Sequence, residues 1–191
     1  MDEAAIRAVA TQSRNLTDRF IAERTTQLLQ AGQAMSRCLR EGGKILVFGN
    51  GGSAADAQHL AGELVGRYLK DRRALPAIAL TTDPTIVTAV GNDMGFDKVF
   101  SRQVEAHGRK GDVAMGISTS GRSPNVIKAL EVAKGNGLVT VALTGEGGAR
   151  LSGLVDHLLE VPSGDTPRVQ EVHGLVVHLL CQIVEEEVCA G

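Results

Sequence analysis

The sequence predicts an α/β fold: a five-stranded parallel sheet sandwiched by helices in a flavodoxin-like three-layer arrangement, with long helices at both ends. Two observations carry this. Short apolar runs at 45–48, 77–80, 113–117, 138–143 and 157–161 alternate with helical segments near 53–67, 84–91, 96–107, 124–134 and 148–154. Runs without polar alternation belong to strands buried on both faces, as in parallel sheets. The flanking segments instead repeat their apolar residues every three or four positions, the period of a helix.

In chain order, residues 3 to about 41 form the first element: Ile6, Val9 and Ala10, then Leu16, Phe20 and Ile21, then Leu28, Leu29, Met35 and Leu39. The stretch is long for one globular helix, so either a break near Gly32 divides it or part of it packs on another subunit. The apolar run 45–48 leads into Gly-Asn-Gly-Gly-Ser at 49–53. Glycines there permit a sharp reversal and leave backbone N–H groups facing whatever sits at the strand's end. Ser53 and Asp56 have the spacing of a capping box for the helix that follows. Near the other end, Thr166 is expected as an N-cap with Pro167 at the first helical position, opening an amphipathic helix to about Glu187. No internal repeat or low-complexity linker interrupts the chain. A single domain over 1–191 is expected, divided into an N-terminal helical region (1–41), an α/β core (42–165) and a C-terminal helix (166–191).

Composition removes several classes of function. The net charge is −2 and the Lys and Arg residues are scattered, so no nucleic-acid surface is expected. Aromatic residues make up 3% and Trp is absent, which argues against a base-stacking platform. No apolar stretch approaches the ~20 residues that cross a bilayer, so no membrane partner is expected. The first residues carry no apolar core of the signal-peptide kind, and a cytoplasmic location is expected. Cys38, Cys181 and Cys189 are widely spaced and form no CxxC, consistent with free thiols in a reducing compartment.

Ligands of an open parallel sheet collect beyond the carboxyl ends of its strands. Three loops of this sequence fall there: 49–53, the stretch after Leu80 running through Asn92 and Asp93, and 118–123. The last packs Ser118, Thr119, Ser120 and Ser123 around Gly121 and opens a helix at Pro124. Hydroxyls, loop N–H groups and a helix N-terminus together suit a phosphate, although such a segment also serves as an ordinary solvated turn. Neither a Walker lysine nor a GxGxxG pattern follows the glycines. His59 and Glu63 stand four residues apart and share a helix face, as a metal-binding or acid–base pair or as a simple surface pair. His178 on the last helix has Glu171 nearly in line and Gln170 about 80° away, and helical geometry leaves its companion open. His173 points elsewhere, and His107 and His157 read as structural.

Taken together, the segments 49–59, 63–67, 80–83, 91–96 and 118–123, with Arg168-Val-Gln-Glu-x-His173 and His178, resemble the phosphoheptose isomerase family of the sugar-isomerase (SIS) domain group. The likeness spans essentially the whole chain. It implies that Ser118, Thr119, Ser120 and Ser123 hold a substrate phosphate, and that Asn50, Gly51, Gly52, Ser53, Asn92 and Asp93 line the sugar. It further implies that His59, Glu63, Gln170 and His178 ligate Zn²⁺, with Glu63 and His178 as general base and acid and Gln170 also near the substrate. Arg122 departs from the small polar residue that relatives commonly carry there.

The implied activity is an aldose–ketose isomerisation of sedoheptulose 7-phosphate through an enediol or enediolate, by a homotetramer with active sites near its subunit interfaces. Such chemistry uses a carboxylate to move a carbon-bound proton, an imidazole to serve the oxygen, and an ion with an open position to stabilise the oxyanion. Two alternatives share the fold: a non-catalytic binder of the replication initiator, and an isomerase for another sugar phosphate. The retained Glu63 favours an enzyme over the binder.

Overall fold

The structure is a computed structural model that describes residues 1–190. It contains helix α1 (Glu3–Arg40), strand β1 (Ile45–Gly49), α2 (Gly52–Val65), β2 (Ala77–Ala79), α3 (Pro84–Met94), α4 (Ser101–His107), β3 (Val113–Ser118), α5 (Pro124–Gly135), β4 (Val139–Thr144), β5 (His157–Glu160) and α6 (Thr166–Cys189). All strand pairs are parallel, in the order β2-β1-β3-β4-β5. The expected five-stranded, three-layer fold with long terminal helices is what forms.

Side chains alternate across a strand, and here both sides are apolar. Ile45, Val47, Val113, Met115, Val141 and Leu159 join α1, α2 and α6 in one core. Leu46, Phe48, Ala114 and Ala142 join α4 and α5 in the other. Burial on both faces explains why these strands read as unbroken apolar runs.

Helix α1 is continuous for 38 residues, capped by Asp2, whose side chain accepts from the Ala5 N–H at 2.8 Å. The break considered at Gly32 does not occur. That glycine serves a close approach instead, since a Cβ there would stand 2.7 Å from Ile183 Cγ2 on α6. The two long helices run parallel: Arg168 reaches the Val9 carbonyl, and Arg40 reaches Glu187.

Other expectations need correction. The capping box at Ser53 and Asp56 is not formed; Gly51 is the N-cap of α2 with no side-chain cap, and Ser53 is buried in the first turn. Asp is one methylene shorter than Glu, and its carboxylate instead lies half-buried along α2, where desolvation raises its pKa. The N-cap of α6 is Asp165, one residue before Thr166. The segment 96–107 divides into a 3-10 turn, Phe96–Lys98, and the short α4. The segment 148–154 forms only a 3-10 turn, Gly148–Leu151. Asn92 and Asp93 lie on α3 rather than in a loop, because Asp83 caps that helix through the Thr85 and Ile86 N–H groups and no breaker intervenes before Gly95.

Candidate active site

The chain leaves β1 for β2 on one side of the sheet and leaves β3 for β4 on the other, so the loops after β1 and β3 diverge at the switch point between them. Gly51 takes φ +56°, a backbone region that side chains resist, and this turns the chain from β1 into α2. A Cβ on the next residue, Gly52, would collide with the Gln170 amide from α6. The glycine turn is thus held from below by the last helix.

Across the switch point, Asn50 and Asn125 donate to each other through their side-chain amides, at 2.9 Å in both directions. The serine loop closes on itself: the Ser118 and Ser123 hydroxyls lie 2.9 Å apart, and Ser120 Oγ accepts from the Arg122 N–H at 3.2 Å. The Gly145 N–H fixes the Thr119 carbonyl from β4 at 3.0 Å. Ser123 is the N-cap of α5 but does not spend its hydroxyl on a cap, pairing it with Ser118 instead. A hollow of about 300 Å³ lies beside it, lined by Asn50, Phe96, Asp97, Ser123, Pro124 and Asn125. A second, of about 160 Å³, lies under the glycine turn and shares Asn50 and Phe96 with the first. Asn92 and Asp93 stay exposed on α3, paired to each other at 2.7 Å, and line neither hollow. Asn125 had no sequence signal beyond its place beside Pro124, and Phe96 none beyond closing the 91–96 segment that carries the resemblance.

His59, Glu63 and His178 converge, with one ligand atom from each lying within 4.8 Å of the others. His59 Nε2 is 3.2 Å from Glu63 Oε1 and also 3.2 Å from His178 Nε2. The two imidazoles meet edge to face, and the Tyr68 ring covers His178 with centroids 5.8 Å apart. Tetrahedral zinc with ligand distances near 2.0–2.1 Å separates its ligand atoms by roughly 3.3 Å, close to the two 3.2 Å spacings that His59 makes. Two imidazoles and a carboxylate are also a donor set that zinc accepts. Gln170 is eight residues before His178 on α6, about 12 Å along the helix, with its amide against Gly52. Helical geometry had left Glu171 in contention; it pairs with Arg168 at 2.6 Å and is exposed.

The remaining histidines stand apart. His173 is fully buried, and burial pushes its pKa down to about 4 against a weaker opposing contribution from the Thr144 backbone. Burial also lowers His157 on β5. The Cys181 thiol beneath the site is pushed up to about 12 by burial and then by the Glu63 charge.

A phosphate-suited loop and an imidazole–carboxylate cluster on a parallel sheet define a sugar-phosphate-handling protein of the SIS class. Comparison with known proteins agrees. The SIS domain family model matches residues 10–145. A phosphoheptose isomerase from Desulfovibrio desulfuricans is 52% identical over 188 residues, 97% of this chain and 90% of that protein. A solved phosphoheptose isomerase from Neisseria gonorrhoeae superposes with TM-score 0.90 at 43% identity, covering 96% of this chain and 98% of that one. Another from Francisella tularensis gives TM-score 0.90 at 38% identity, over 97% and 100%. The chain belongs to the phosphoheptose isomerase family of SIS-domain proteins. It is a sugar-phosphate isomerase.

Proposed function

We propose that this isomerase converts sedoheptulose 7-phosphate to D-glycero-D-manno-heptose 7-phosphate, supplying heptose for bacterial surface polysaccharide precursors. The observation that carries the reading is the meeting of His59, Glu63 and His178 from two helices, in a chain that also carries a serine loop suited to phosphate. The names of the relatives add the substrate class.

In this reading Ser118, Thr119, Ser120 and Ser123 take the phosphate, and Asn50, Gly51, Gly52 and Ser53 line the sugar with Asn92 and Asp93. Glu63 removes a proton from C1 of the ketose, and the electron pair moves through the C1–C2 bond to the C2 carbonyl oxygen, which takes a proton from His178. Glu63 then returns its proton to C2 while His178 recovers one from the C1 hydroxyl, completing the aldose. His59, Glu63 and His178 would hold Zn²⁺, with Gln170 as the fourth ligand that the resemblance implies. Such an ion supplies charge stabilisation to the enediolate oxygens. Gln170 also serves the substrate, a role favoured by its amide lying against the glycine turn.

The same reading places the enzyme in the cytoplasm as a homotetramer. An apolar groove of about 310 Å³ between α1 and α6, lined by Ile21, Leu28, Leu29, Leu179 and Ile183, supports assembly. No helix among the described residues is long and apolar enough to cross a membrane.

The test is turnover of sedoheptulose 7-phosphate beside a five-carbon and a six-carbon ketose phosphate. Glu63→Gln keeps the shape of the side chain and removes its basicity, so activity should fall by ~10²–10⁴-fold while substrate still binds. A folded Glu63→Gln enzyme with parental turnover would refute the mechanism. Faster turnover of the shorter sugars would refute the substrate.

A further inference from the structure

We propose that the buried pair Arg72–Glu185, remote from the reacting atoms, is a positioning device that sets the spacing of Glu63 and His178. The proposal rests on the reading that those two residues move the protons.

Arg72 and Glu185 side chains are 4% and 2% exposed and meet at 2.8 Å through Nε and Oε1. Apart from a bond from Arg72 Nη1 to the adjacent Arg73 carbonyl at 3.0 Å, their other hydrogen bonds go to the end of α2 and to the Tyr68 loop. Arg72 Nη2 donates to the Glu63 carbonyl at 2.9 Å and Nη1 to the Leu64 carbonyl at 3.0 Å. These are last-turn carbonyls of α2 that no helical N–H can reach, and α2 carries no basic residue in its own last turn. A guanidinium from the following loop therefore caps the helix at the residue proposed as the base.

Glu185 does the corresponding work on the other side. It sits on α6 two turns after His178, and its carboxylate accepts the backbone N–H groups of Leu69 and Lys70 at 2.7 Å and of Tyr68 at 3.2 Å. Burial works against its charge, but the three N–H groups and Arg72 outweigh this and hold its pKa below the ordinary carboxylate range. The loop it gathers carries the Tyr68 ring that covers His178. One ion pair thus ties the end of α2, the Tyr68 loop and α6 into a rigid unit. Planar, forked guanidinium geometry is needed for three of those bonds, and lysine cannot reproduce it.

Buried pairs are costly to desolvate and are often replaceable by apolar residues without loss of stability. Stability alone therefore does not account for this one. Outer partners that orient ligands typically contribute 10–100-fold in metal affinity or activity.

The experiment compares the full-length parent with Arg72→Lys, Glu185→Gln and the apolar double replacement Arg72→Met/Glu185→Leu. The double variant keeps a folded protein available if either single change unfolds. Each is measured for kcat and KM with sedoheptulose 7-phosphate, melting temperature, and Co²⁺ affinity in the absence of substrate. Positioning predicts a kcat at least tenfold lower with KM within twofold, because the serine loop on β3 and α5 is untouched. Co²⁺ affinity should fall at least tenfold, including in the double variant that retains parental melting. Parental kcat and Co²⁺ affinity in a folded variant, whatever its melting temperature, overturns the proposal. A parent inactive on sedoheptulose 7-phosphate would instead refute the functional reading, and the Co²⁺ affinities would then decide the positioning role by themselves.

Discussion

Asn50 and Asn125 exchange two amide hydrogen bonds of 2.9 Å, so the turn after β1 and the first turn of α5 are clamped across the switch point of the sheet. Asn125 is buried and also accepts the Val126 N–H at 3.0 Å. The clamp fixes the distance between the surfaces expected to grip the two ends of the sugar phosphate. Asn125→Ala removes both 2.9 Å bonds and leaves the half-buried Asn50 amide without that partner, at a cost of ~0.5–1.5 kcal/mol per bond. The melting temperature should fall by roughly 2–4 °C per kcal/mol, and KM should rise. Calorimetry and steady-state kinetics that both match the parent would remove the clamp from the account.

Loss of a hydroxyl from the serine loop should act on affinity alone. Ser123→Ala breaks the pair with Ser118, and Ser120→Ala frees the Arg122 N–H; in the proposed phosphate role each would also remove a hydrogen bond to a charged group, worth ~1.5–3 kcal/mol. Titration with sedoheptulose 7-phosphate should show binding weakened by one to two orders of magnitude with folding intact. Unaltered affinity in both variants would move the phosphate elsewhere.

Zinc should stabilise the folded chain through His59, Glu63 and His178. With zinc at 100 times its dissociation constant the gain is ~2.7 kcal/mol. His59→Ala should lose most of that gain, and dialysis against a chelator should abolish a turnover that added Zn²⁺ restores. Equal zinc-dependent melting shifts for parent and His59→Ala would exclude this cluster as the site.

Acid should expose the cost of His173. Its folded pKa is depressed to about 4 by burial, whereas the ring in the unfolded chain titrates near its ordinary value of 6.5. The unfolded chain therefore binds the extra proton first, and stability falls as pH drops from about 6.5 toward 4. The contribution lost is on the order of 3 kcal/mol. Urea unfolding at pH 7 and pH 4.5 should show a smaller loss for His173→Leu than for the parent. Identical losses would mean that carboxylates elsewhere dominate the pH response.

The sequence was most legible where one local rule decided the outcome. The runs around Ile45, Val113 and Val141 needed only burial on two faces to be read as parallel strands, and His59 with Glu63 needed only the i,i+4 rule. Where partners are distant, no pattern announces them. Gly32 reads as a breaker until Ile183 is seen to occupy the space its missing side chain leaves. Ser53 and Asp56 satisfy a capping spacing, yet Gly51 takes the cap because the turn demands a positive φ. Asn125, Arg72 and Glu185 act through hydrogen bonds spanning 75 and 113 positions, for which no sequence period exists. Convergence of His178 on His59 across 119 positions belongs to the same kind, and only the resemblance pointed to it.

The parallel packing of α1 on α6 also sets the order in which this protein can become stable. Helix α1 is 38 residues and about 57 Å long, and its inner face of Leu28, Ala31, Met35 and Leu39 finds cover on α6 and the sheet. During synthesis that face leaves the ribosome before the helix that covers it is made. The contacts closing the fold have a sequence separation near the whole length of the chain, the arrangement that slows folding most. Until α6 emerges, the face of α1 that it will cover stays bare, the kind of transient apolar exposure from which larger chains misfold.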